Sequence, residues 1–124
     1  MTYPDRYLLF IEYFNKGKFM SAQTTLDVIW LDDRTPDRNF YGGLIQLAVC
    51  FYHLTNDNPK GAIKIFESAR EMLASYGDDV HLGISLRKLI TECDALYEEK
   101  VKPDDSSMDY TKMIPKIEFT SESN

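Results

Sequence analysis

Apolar residues recur along this chain at helical spacing almost from its start. Tyr7, Leu8, Ile11 and Phe14 fall three and four apart, which marks one face of a helix over residues 4–15. Pro4 suits its first turn and Gly17 its stop. Phe19, Ala22, Leu26, Ile29 and Trp30 repeat the spacing and predict a second helix over 19–31. The polar run from Asp32 to Asp37, with Pro36 inside it, reads as a loop. Residues 38–54 differ in kind. Phe40, Tyr41, Leu44, Ile45, Leu47, Ala48, Val49, Phe51 and Tyr52 cover nearly every side, and a helix apolar all round is a buried one. The third helix is therefore expected at the centre. Asn58 as cap and Pro59 at the first helical position start a fourth, running to about residue 76 with Ala62, Phe66, Ala69, Leu73 and Tyr76 inward. Gly77 is its expected left-handed stop. A fifth helix is predicted over 80–100, capped by Asp78 or Asp79, with Leu82, Leu86, Leu89, Cys93 and Leu96 inward.

Beyond residue 100 the pattern changes to prolines, serines and few helical signals, although Met113, Ile114, Ile117 and Phe119 are apolar enough to pack. No alternating strand pattern is present. The fold expected is all-α: a compact antiparallel bundle of about five helices, two helical hairpins plus a C-terminal helix, with an extended C-terminal strap. Residues 1–102 are expected as the single bundle domain and 103–124 as an extended, partly disordered tail, frayed from about residue 120. The segment around Asn15 to Ala22 weakly repeats that around Asn56 to Ala62, each a helix end, a short polar turn and a helix entered through alanine.

Composition adds exclusions. Hydrophobic residues at 44% are too many for disorder, and a net charge of −6 without a basic stripe argues against nucleic acid. The N-terminus lacks the basic start and long apolar run of a signal peptide, and the most apolar run, Leu44 to Leu54, is about half of what spans a bilayer. Cys50 and Cys93 lie on core faces and read as buried thiols in a reducing compartment. A cytoplasmic location is expected, with no membrane, no metal and no cofactor.

Candidate chemistry gathers on the second and third helices. Gln23 and Asp27 are four apart and neighbour each other, and Trp30 continues their row. Gln46 and His53, seven apart, share one face of the third helix. If the two helices pack together, a carboxylate, an imidazole and two amides meet on one polar patch. That patch suits a small polar ligand, and Asp27 with His53 has the elements of acid–base work. The plainer reading is a set of half-buried polar groups that satisfy one another. No cysteine pair with metal spacing, His-Glu-x-x-His or phosphate loop is present; Gly42 and Gly43 read as close packing, and His81 as an exposed residue near the start of the fifth helix.

The run FNKGKFMSAQTTLDVIW over residues 14–30, then FYGGLIQLAV over 40–49, His53, and NPKGA over 58–62, resembles domain-of-unknown-function family 309. The tail IPKI at 114–117 is similar to that family's proline-containing closing strap. The resemblance implies a small all-helical fold. The family pattern on the second helix reads Ala-His-Glu-x-x-Glu-x-x-Trp; the corresponding positions here hold Ala22, Gln23, Thr24, Asp27 and Trp30. The histidine has become an amide, one glutamate a threonine, the other an aspartate. A lone carboxylate with a distant histidine holds a divalent metal poorly. The resemblance thus strengthens the fold and weakens an enzymatic role, and no residue is assigned as catalytic.

Two functions follow. The first is a non-enzymatic domain that binds a protein partner or itself. It draws on aromatics of the first helix, Tyr3, Tyr7, Phe10 and Tyr13, with Phe10 and Tyr13 off the main stripe as a contact patch. The alternative is a ligand-binding or degenerate catalytic pocket at Gln23, Asp27, Trp30, Gln46 and His53.

Overall fold

A computed structural model describes residues 3–77, 79–105 and 108–120. The helices are α1 (Asp5–Asn15), α2 (Phe19–Asp32), α3 (Arg38–Thr55), α4 (Pro59–Ala74) and α5 (Leu86–Glu99). The boundaries of α1 to α4 fall close to those that spacing and capping predict. Asn58 caps α4 as expected: its Oδ1 accepts from the Gly61 N–H at 3.1 Å, ahead of Pro59.

The two hairpins turn alike. Past α1, Gly17 is left-handed at φ +77°, and the Lys18 N–H donates back to the Tyr13 carbonyl at 2.9 Å. At the matching place past α3, Asp57 is left-handed at φ 59°, and the Asn58 N–H donates back to the His53 carbonyl at 3.0 Å. This six-to-one closure consumes helix-end carbonyls that would otherwise lack partners. The weak sequence repeat is thus a repeated turn.

Helix α3 is the centre, packed by α2 on one side and α4 on the other. Phe40, Leu44, Ala48, Cys50 and Phe51 have no exposure at all. Cys50 donates to the Ala62 carbonyl at 3.3 Å and shares a short hydrogen bond with the Tyr97 hydroxyl. Burial pushes its thiol up to about 12, so it packs as an inert hydrophobe. Tyr97 stacks flat on Phe66, centroids 4.1 Å apart, and the Arg70 guanidinium grips the Asp94 carboxylate at 2.7 and 2.8 Å. These contacts hold α5 to α4.

Three expectations need correction. The buried face of α1 is Tyr7, Phe10, Ile11 and Phe14, while Leu8 is exposed. Phe10 is wholly enclosed, with Phe14 beside it at 5.8 Å between ring centres, because α1 is covered by more than α2 alone. Next, α5 begins at Leu86 rather than near residue 80. Residues before it form an antiparallel hairpin of two-residue strands, β1 (Val80–His81) and β2 (Ile84–Ser85). Leu82 and Gly83 make its turn at φ 46° and 81°, left-handed values that a helix forbids. Finally, His81 is not exposed. Its Nε2 lies 2.9 Å from Asp37 Oδ1, and its ring packs on Phe40 and Tyr76. Of the proposed caps, Asp78 lies outside the described residues, as do residues 121–124, where fraying is expected.

The C-terminal segment does form an extended strap, and it closes the hairpin onto α1. The Asn15 amide donates to the Ile117 carbonyl at 2.9 Å and accepts from the Ile117 N–H at 2.7 Å. Beyond it, Ser85 N–H donates to the Glu118 carbonyl and Thr120 N–H to the Gly83 carbonyl. Phe119 packs edge-on to Tyr3 and Tyr7, and the Tyr7 hydroxyl donates to the Leu82 carbonyl at 2.7 Å.

Candidate functional site

Helix α2 has an unusual cross-section. One side is buried through Phe19, Ala22, Thr25 and Leu26. Gln23, Asp27 and Trp30 form the next row and are half-buried. Outside them Met20, Val28 and Leu31 stand 51, 42 and 58% exposed. Apolar residues therefore stand on the exposed side of the helix as well as on its buried one.

The half-buried row borders a cleft of about 260 Å³ lined by Asp27, Trp30, Asn39, Gly42, Ile45, Gln46 and Met72. Gly42 shapes it. A Cβ there would lie 2.9 Å from Met72 Cε and 3.2 Å from Trp30 Nε1, so glycine is what lets the thioether and the indole both come this close to α3. Arg38 steadies the indole from α3: its guanidinium lies 4.1 Å from the Trp30 ring centre, and its Nε donates to the Trp30 carbonyl at 3.1 Å.

The polar groups of the cleft are poorly matched. Gln46 Oε1 is buried and accepts no hydrogen bond among the described residues. Such an acceptor costs on the order of 1–3 kcal/mol. Burial raises the Asp27 carboxyl above the ordinary aspartate range. Loss of water is the cause among the described residues.

Of the five residues expected to converge, Asp27, Trp30 and Gln46 do so. Gln23 is half-buried but does not line the cleft. His53 belongs elsewhere. Seven residues on one helix span roughly 10 Å, which carries His53 to the α3–α4 turn, where Nδ1 lies 3.4 Å from Asn58 Nδ2. A shared helix face is not a shared site. Thr24, the remaining motif position, is exposed, its hydroxyl donating to the Met20 carbonyl at 3.0 Å. Asn39, Ile45 and Met72 line the cleft without having been among the expected site residues. Asn39 is seven before Gln46 and Ile45 is next to it, so α3 carried a signal for both; Met72 comes from α4 and carried none. Among the described residues, no three His, Cys, Asp or Glu side chains gather as a metal site requires.

The aromatic patch expected on the first helix is also redrawn. Tyr7 and Phe10 are fully buried and serve the core. Tyr3 and Tyr13 are half-buried, both packed against that core.

Residues 7–65 match the family described as Domain of unknown function (DUF309). The resemblance in the second and third helices is thereby shown. The DUF309 match takes in most of α1, all of α2 and α3 and the start of α4, and with them every residue of the cleft except Met72. The Uncharacterized protein YpuF of Bacillus subtilis (strain 168) is 28% identical over 100 residues, which cover 78% of this chain and 58% of that protein. The chain thus spans less than two thirds of that relative's length. No solved structure matches. Among the described residues, no helix is long and apolar enough to cross a membrane.

Proposed function

We propose that this chain is a non-enzymatic binding domain that takes a segment of another protein along the cleft between α2, α3 and α4. The uncovered apolar side of α2 carries this reading. Leu31 lies one turn beyond Asp27 at the cleft's outer side, and Met20, two turns before Asp27, continues the exposed apolar side toward the start of α2. A cleft of this size with an apolar lip extends the contact area well beyond one small molecule, as a docked helix or extended segment requires. Self-association through α1 has less support, since Tyr7 and Phe10 are spent within the core. Acid–base chemistry has less too, because His53 serves the α3–α4 turn.

The test is a randomised peptide library selected on the intact chain, with counter-selection on Leu31→Glu. The substitution sits at an exposed position and should leave the helical content unchanged. The reading expects enriched peptides to bind the parent chain and lose binding to the variant. Enriched peptides that bind both equally would place recognition elsewhere.

A second reading is a small polar ligand in the same cleft, whose wall carries the polar residues Asp27, Asn39 and Gln46. Here a small hydrogen-bond donor would raise the unfolding temperature with saturation, and Leu31→Glu would not matter.

A further inference from the structure

The outward side of α2 lacks the charges that exposed helix faces in this fold carry. Met20, Ser21, Thr24, Val28 and Leu31 stand on it, exposed and uncharged. On α4 the exposed positions include Lys64, Glu67, Arg70 and Glu71. We infer that a second copy of this chain covers this side, its α2 packed antiparallel on the first. This rests on the docking role of α2 proposed above and identifies the partner.

The charges at the two ends of α2 point to that partner. Lys18 stands at the N-cap and Asp32 closes the last turn. Both run against the helix dipole, whose positive end favours an acid and whose negative end favours a base. Within one chain this arrangement is unfavourable. An antiparallel second helix turns it to use. Asp32 of the second copy comes to Lys18 of the first, and the converse pair forms at the other end.

Helical spacing supplies the register. With the pair centred at the level of Thr25, Lys18, seven residues before it, comes opposite Asp32, seven after. The two are about four turns apart, so they share one flank of α2, and in an antiparallel pair like flanks meet. On the other flank Gln23 and Asp27, two before and two after, come opposite each other, an amide donor against a carboxylate. Met20 and Leu31 fall opposite each other to within one residue, with Thr24 and Val28 between them. The seam is thus apolar at its two ends and sets no like charges opposite one another. A foreign helix would fill the stripe equally well, but this chain alone brings both complementary ends with it. The seam from Lys18 to Asp32 is only about 20 Å long, and two chains of net charge −6 repel, so the dimer is weak and forms as concentration rises.

The test is sedimentation equilibrium of the full chain from about 10 µM to about 1 mM. The mass should rise from one chain toward two. Leu31→Glu should weaken association by about tenfold or more. Lys18→Glu and Asp32→Lys, each alone, should weaken it by about threefold or more. An equal mixture of those two variants should regain the parent's association, because the mixed pair has opposite charges at both ends. Each reversal also sets its charge with the helix dipole, so the unfolding midpoint of the dilute variant should hold or rise. That reading separates lost association from a damaged fold. A parent chain that stays single at every concentration sinks the second copy and leaves the docking of a foreign segment standing. Association untouched by Leu31→Glu sinks α2 as the contact. A mixture that associates no better than either reversed variant sinks the antiparallel pairing, and the inference with it.

Discussion

Two side-chain amides in this molecule face opposite situations. Asn15 lies where α1 meets the strap, and both ends of its amide are used by the backbone of Ile117. Gln46 lies where α3 meets α2, and its buried oxygen is used by nothing among the described residues. The first is what a structural polar residue looks like: burial matched by partners, with the residue fastening one element to another. The second keeps an unmet acceptor at the wall of a cleft. Where the chain closes on itself, hydrogen bonding is complete; where it leaves α2 uncovered, hydrogen bonding is not.

The comparison can be broken from either side. Asn15→Ala strands the N–H and C=O of Ile117, itself 3% exposed. It should destabilise the fold by about 2–3 kcal/mol, seen as a lower midpoint in chemical denaturation. Early hydrogen exchange at Ser85 and Thr120 should accompany it, because the strap's outer bonds depend on its anchor. A loss below about 0.5 kcal/mol would show that Phe119 and Ile117 hold the strap without the amide.

Arg70→Ala removes a two-pronged ion pair, but one whose arginine is about half exposed. The cost should stay at or below roughly 1 kcal/mol and shrink in high salt. That places an exposed polar contact well below the buried Asn15 clamp.

Asp27→Asn should have the smallest effect, and one of opposite sign. Its carboxyl is raised in the folded chain by loss of water. A carboxyl raised on folding costs stability wherever it is ionised. That cost is full above the folded pKa, fades through the interval below it, and is absent below the unfolded value of about 3.9. The variant should therefore be slightly more stable than the parent at pH 7, with the gain vanishing as pH falls toward 3.5. Parallel unfolding curves at pH 7 and 3.5 measure this directly. A variant less stable at pH 7 would mean that Asp27 has a partner that matches its charge.

How much of this was legible in the sequence depended on the range of the interaction. Three-four spacing marked α2, α3 and α4 closely, and the continuous apolar cover of residues 40–52 identified the central helix. The β1–β2 hairpin was hidden because two-residue strands have no alternation to read. Their pairing is stabilised from outside, by Glu118 and Thr120 of the strap. On α1 the helical period was right but the buried face was misjudged, since Phe10 is enclosed by tertiary neighbours that spacing does not name. In the cleft, Asp27 and Trp30 could be paired from one helix and Gln46 from the next. His53 was misplaced because a helix face records direction and says nothing of the distance along the axis. Met72 had no local signal.

The most direct test of the central claim is the equilibrium unfolding of Gln46→Met. Methionine keeps the unbranched shape and removes the unmatched amide, so the variant should gain about 1 kcal/mol. A variant that unfolds more easily than the parent would show that the Gln46 amide is already satisfied within the chain, and the cleft would then be part of the core's own bonding.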